Sequence, residues 1–192
     1  MEASRSLAFF RTVGQLKTLK RTGWVNHNIP LPESVADHMY RMSMMTFLLV
    51  DKEINRDRLM KICMVHDLAE SIVGDITPEE PISKDEKRKL EEDAMKKIVT
   101  ELSNGSIGKE LMDLWLEYEE GDSKEAKLAK ELDKFEMIVQ ADEYEEREGK
   151  KLQTFFDSTA SSFSHPEIVA WVTELRERRK KRWEAEEEAL LA

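Results

Sequence analysis

Turn-forming residues are scarce in this chain: 7 glycines and 5 prolines in 192 residues, too few to punctuate a many-stranded sheet. A single cysteine, Cys63, excludes an intramolecular disulfide and suits a reducing compartment. No stretch approaches the roughly 18 apolar residues of a membrane-spanning helix. The opening run MEASRSLAFFRTVG has neither the apolar centre nor the cleavage site of a secretory signal. A cytoplasmic protein is expected, with the nucleus as the alternative, and no membrane partner. Basic residues are outnumbered 30 to 40, leaving a formal net charge of −10. Such a surface repels a phosphodiester backbone, so no polymeric nucleic acid is expected as a partner. A local basic pocket can still take a small phosphate ester.

What is present points to helices. Apolar residues make up 40% and charged residues 36%, the mixture of a core wrapped by charged helices. The patterns predict a helix from about Ser6 to Leu19 that breaks near Gly23, then a loop at Pro30 and Pro32. Ser34-Val35-Ala36-Asp37 reads as a capping box opening the next helix, with Val35, Met39, Met42, Met45 and Leu49 as its apolar stripe. Asn55 caps another, whose inward side carries Leu59, Ile62, Cys63, His66 and Glu70. Ser83 opens a charged helix to about Leu102, broken at Asn104-Gly105, and a shorter one follows to Tyr118. Ser123 starts a long helix ending near Gly149. Pro166 occupies the first position of the last helix, where its missing N–H costs nothing. Residues 1–175 thus read as a single all-α domain. Residues 176–192, with Arg178-Arg179-Lys180-Lys181-Arg182 beside an acidic run, read as a charged helical extension, solvated or frayed.

The segment Met64-Val65-His66-Asp67-Leu68-Ala69-Glu70 carries the chemistry. On a continuous helix His66 and Glu70 lie about 6 Å apart along the axis and nearly in line, and Asp67 is turned from His66 by roughly 100°. An imidazole and two carboxylates then share a mostly apolar surface, with no Lys or Arg within one turn on that face. Burying them unpaired costs several kcal/mol or drives the carboxylates towards protonation. A divalent cation removes the difficulty, and nitrogen and oxygen donors without thiolate suit Mn, Co, Mg, Zn or Fe. An ordinary helix-packing hydrogen bond between His66 and Asp67 is the alternative. His38 puts a second imidazole on the stripe of the preceding helix, either as a satisfied core histidine or as a partner of His66. Antiparallel packing of two helices brings both to one point. His27 reads as a solvated loop residue, His165 as a cap of the last helix, and Cys63 as core.

Three ordered blocks, Glu33-Ser34-Val35-Ala36-Asp37-His38, His66-Asp67-Leu68-Ala69-Glu70 and Gly74-Asp75-Ile76-Thr77-Pro78, resemble the HD-domain superfamily. They are most similar to its 5′-deoxynucleotidase branch, which holds bacterial YfbR-like enzymes and their eukaryotic counterparts. The similarity runs from about Leu7 to Leu175. It implies an HD-domain helical bundle, a homodimer, and hydrolysis of deoxyribonucleoside 5′-monophosphates to deoxynucleoside and phosphate through a metal-activated water. It also implies metal ligation by His38, His66, Asp67 and Asp133, the last taken from the family pattern alone. Mn, Co or Mg come first as the ion, with Zn or Fe behind them. Glu70 and Asp75 match residues near the reacting phosphate, and with the Ile76 carbonyl they form a possible second-ion site. Arg21 and Trp24 resemble a phosphate- and sugar-contacting pair, although two residues separate them here and the bacterial pattern has them adjacent. Other HD phosphohydrolase substrates (a cyclic nucleotide, an alarmone or a deoxynucleoside triphosphate) form the second reading. A non-catalytic helical dimerisation module forms the third.

Overall fold

The computed structural model describes residues 3–103 and 105–191; the Asn104 half of the expected break and the last residue of the charged run lie outside the described residues. Among them the regular structure is helical, and the single β-bridge joins Lys20 to Ser34. In chain order the helices are α1 (Ala3–Gln15), α2 (Thr22–Asn26), α3 (Val35–Met45), α4 (Arg56–Val65), α5 (Glu70–Val73), α6 (Lys84–Glu101), α7 (Ser106–Glu120), α8 (Lys124–Glu148), α9 (Gln153–Ser158) and α10 (Pro166–Leu191). The chain divides into two compact units, Met1–Ala129 and Lys130–Ala192.

In the first unit α3 packs on α4, α4 on α7, and α6 on α7, while α1 and α5 lie against each other and against α6. Local chemistry sets the starts. Ser34 and Asp37 form the expected reciprocal capping box at α3, and Ser83 and Glu86 do the same at α6. The Asn55 side chain accepts the Arg58 N–H to begin α4. Val35, Met39 and Met42 are buried on the α3 stripe, as are Leu59, Ile62 and Cys63 on α4. Burial of an aliphatic or methionine side chain contributes about 1.5–3 kcal/mol each, so the α3–α4 contact is a principal source of stability.

Three expectations for this unit fail. The first helix stops at Gln15 rather than near Leu19. Residues 16–18 tighten into turns, and the carbonyls of Leu16 and Leu19 accept the N–H groups of Ala36 and Val35 at the start of α3. Those first-turn donors have no partner within their own helix, and meeting them wins over extending α1. Gly23 does not break a helix but lies inside α2. The helix capped by Asn55 also ends early: α4 stops at Val65 and His66 is its C-cap.

In the second unit Glu145 on α8 anchors α10. It is fully enclosed and accepts from Arg179 (2.6 and 2.8 Å), the Trp183 indole N–H (2.9 Å) and the Leu152 N–H (2.5 Å). These bonds hold its carboxyl below the usual range although burial pushes the other way. Arg182 reaches Asp142 (2.5 Å), and Arg179 lies over the Phe156 ring. The segment after Arg176, expected as a charged helical extension, solvated or frayed, is helical and mostly exposed. α10 is unbroken to Leu191, and one side of its charged stretch faces α8. At its start, Glu131 accepts the N–H groups of Ser164 and His165.

Candidate metal centre

His66 and Asp67 stand at the point where the α4 winding changes. His66 N–H still bonds Ile62 O in the α pattern, but Leu68, Glu70, Ser71 and Ile72 each donate to the carbonyl three residues back. Three residues per turn line up positions i and i+3. Asp67 and Glu70 thus come onto one side, where a continuous α-helix would instead have aligned His66 with Glu70. His38 arrives from α3, fully buried, through the α3–α4 packing.

The two imidazole centroids are 5.5 Å apart at 70°. Asp67 Oδ2 lies 3.1 Å from His66 Nε2 and 3.9 Å from His38 Nε2. One donor atom from each of the three residues fits within 4.8 Å of the others. His66 Nδ1 sits 2.9 Å from the Cys63 carbonyl, which only accepts, so Nδ1 carries the ring hydrogen. Nε2 is buried, has no hydrogen-bond partner, and directs its lone pair towards a carboxylate oxygen. That contact is favourable only with positive charge on or between the groups, from a second ring proton or a cation. A backbone carbonyl orienting one ring nitrogen while the other faces acidic oxygen is the usual support of a metal-ligating histidine. The donor set fits a divalent ion.

Neighbouring charges come from outside the helix. Arg21, at the start of α2, donates to Asp67 Oδ2 at 3.3 Å. Lys87 on α6 donates to the Ile76 carbonyl at 2.7 Å and lies 3.6 Å from Glu91. Both cations reach the site from other elements, which sequence spacing along one helix could not reveal. Burial raises the Asp67 pKa, but positive charge at His66, then Arg21 and His38, outweigh it and hold the carboxyl at about 2. Glu70 is pushed well above its ordinary value by burial first, then by the charges of Asp67 and Asp75. Its Oε2 is buried without a hydrogen-bond partner. Burial works against the Lys87 charge, but Glu91, Glu70, Asp67 and Asp75 together raise its pKa.

The remaining expected residues are placed as follows. Asp75 Oδ2 accepts the Thr22 N–H at 2.6 Å and its carbonyl accepts the Thr22 hydroxyl at 2.7 Å, tying the 74–78 loop to α2. Ile76 is buried. Trp24, 2% exposed, is enclosed in the core with its indole N–H on Glu33 (2.8 Å). Asp133 is half-buried on α8, within the second unit. His27 Nδ1 lies 2.8 Å from Gly23 O. Sequence reasoning missed Lys87, Glu91 and the Tyr118 ring, whose centroid is 4.8 Å from that of His66. The i,i+4 spacing of Lys87 and Glu91 was the one available signal, and it is common on exposed helices.

Residues 13–170 match the model of an HD domain family. Over 175 residues the chain is 54% identical to the 5′-deoxynucleotidase HDDC2 of Mus musculus, covering 90% of this chain and 87% of that one. It is 44% identical over 190 residues to the 5′-deoxynucleotidase hdd1 of Schizosaccharomyces pombe, covering 95% and 96%. A conserved hypothetical protein from Pyrococcus furiosus superposes with a TM-score of 0.75 at 30% identity, covering 89% of this chain and 99% of that one.

Proposed function

This chain belongs to the HD-domain family, and from that premise we propose that it is a metal-dependent 5′-deoxynucleotidase, releasing phosphate from deoxyribonucleoside 5′-monophosphates. The observation that carries the reading is His66. Its Nδ1 is fixed by the Cys63 carbonyl and its partnerless Nε2 faces Asp67, with His38 beside it. His38, His66 and Asp67 would hold the ion; Mn, Co or Mg are favoured by the family resemblance, with Zn or Fe next, and the mixed nitrogen and oxygen donors suit each of them. Asp133 completes the set by family resemblance. A divalent cation here supplies Lewis acidity, making water nucleophilic near neutral pH and drawing charge from a phosphoryl oxygen.

The chain's own residues do the rest. Arg21 offsets phosphate charge beside Asp67. Glu70, buried with an unpartnered oxygen close to Asp67, gives a proton to the leaving 5′-oxygen as the P–O bond breaks. The resulting carboxylate takes up the proton lost by the attacking water. Asp75 holds the loop against α2, and Trp24 stands as a packed wall near the sugar. No described helix is long and apolar enough to cross a membrane; the cytosol, or the nucleus, is the compartment that suits a lone free cysteine.

The test is a panel of nucleoside mono-, di- and triphosphates, cyclic nucleotides and an alarmone, assayed with several divalent cations. Phosphate release from deoxynucleoside monophosphates is expected to dominate. Pyrophosphate or triphosphate release instead would move the substrate elsewhere. Glu70→Gln is expected to lower kcat by about 10²-fold or more with little change in affinity for the ion assigned to His38, His66 and Asp67.

The active form is a homodimer in this reading. Tyr40, Met44, Phe47 and Leu48 are 68%, 45%, 57% and 69% exposed in a row along one side of α3 and the turn after it, an apolar face suited to a second copy. Light scattering is expected to give twice the 22.4 kDa chain mass, falling to one on Phe47→Glu with Leu48→Glu. A monomeric parent chain would reject the dimer.

A further inference from the structure

Lys87 is the one cation tied to the loop that carries Asp75 and Ile76 among the described contacts. Its ammonium sits on the Ile76 carbonyl at 2.7 Å, and Glu91, one helical turn along α6, waits 3.6 Å away. Glu70, 4% exposed, leaves Oε2 buried without a partner. Carboxylate and carbonyl oxygens of this kind are the donors that a hard divalent ion takes. In this arrangement, however, Ile76 O is held by the ammonium and Asp75 Oδ2 by the Thr22 N–H.

We propose that Lys87 is the resident cation of the Glu70–Asp75–Ile76 group and sets its affinity for a second divalent ion, which binds only as the ammonium leaves the Ile76 carbonyl for Glu91. The idea rests on the metal-dependent reading above and adds a role for this side chain. A monovalent charge already among the carboxylates removes part of the attraction a divalent ion would feel, and the ammonium blocks one of its donors. Glu91, 10% exposed at its side chain, gives the displaced ammonium a nearby acceptor, so the exchange need not strand a buried charge. Lys87 is a positioning residue in this scheme: it touches the loop carbonyl and acts through the second ion.

The experiment is Mn²⁺ binding to the full chain stripped of metal, followed by calorimetry and by electron paramagnetic resonance, which reports spin coupling between neighbouring ions. The parent chain, Lys87→Met and Lys87→Arg are compared, with circular dichroism confirming their helicity. Lys87→Met is expected to tighten the second binding step by about tenfold or more while the first stays within about threefold. Lys87→Arg should behave like the parent, and adding Glu70→Gln to Lys87→Met should abolish the gain. A second step unchanged in Lys87→Met, or a gain that survives Glu70→Gln, would overturn the proposal. A parent chain with no saturable first step would instead overturn the metal-dependent reading.

Discussion

Glu145 in the second unit and Glu70 in the first are both carboxylates shut away from solvent, at 1% and 4% exposure, yet their surroundings differ in kind. Glu145 has both oxygens met by a guanidinium, an indole N–H and a backbone N–H, and its pKa falls. Glu70 keeps an oxygen with no partner, sits near two further carboxylates, and its pKa climbs. A buried charge with every lone pair answered by the protein holds helices together. A buried polar cluster left with open lone pairs is costly on its own account, and it is the arrangement that a ligand from solution completes.

That contrast can be broken at several points. His66→Ala should reduce phosphate release on the order of 10³-fold. The loss should track loss of bound metal by elemental analysis, with helicity kept. Dialysis against a chelator should mimic the variant in the parent chain, and added Mn²⁺ should restore the parent alone. Parent-like turnover in His66→Ala would erase the distinction between the clusters. Glu145→Ala leaves Arg179 without a carboxylate, with only the Gln153 oxygen and the Phe156 ring beside it, and chemical denaturation should show a loss of about 3–5 kcal/mol, with metal affinity of the folded protein unchanged.

A smaller effect should appear at Glu91. Burial, against the pull of Lys87, raises its pKa from 4.5 to about 7. The folded state therefore binds this proton more tightly than the unfolded chain does. Stability from this source is present below about pH 4.5 and is lost as pH rises through about 7. Glu91→Gln removes that loss. Its melting temperature relative to the parent should rise by about 2–4 °C between pH 5 and pH 8, and a flat difference would show that Glu91 does not titrate in this window.

Signals confined to a few neighbouring residues were legible in the sequence. Ser34, Asn55, Ser83 and Pro166 mark helix starts because their chemistry acts within one turn, and the structure places each there. His38 and His66 were legible as a pair because apolar stripes on α3 and α4 dictate how those helices meet. The change of winding after His66 was not. Periodicity alone cannot separate a continuing α-helix from a tighter turn when both leave residues 66 to 70 inward. Lys87 was equally hidden, since a long flexible side chain reaches a site from an element whose own pattern says nothing of it, and Arg21 was named only through likeness to a family. Asp133 rests on likeness to a family, because on α8 it is one acid among Glu131, Glu136 and Asp142.

The tight winding from Val65 to Ile72 limits how this segment can vary. Each residue there swings the next by about a third of a revolution, so one inserted or deleted position would carry every later side chain round to a different neighbour. Substitutions that preserve size should pass far more easily than any change in length. Among proteins built on this plan, insertions should therefore collect in the connections on either side of residues 65–72 and avoid the interval itself.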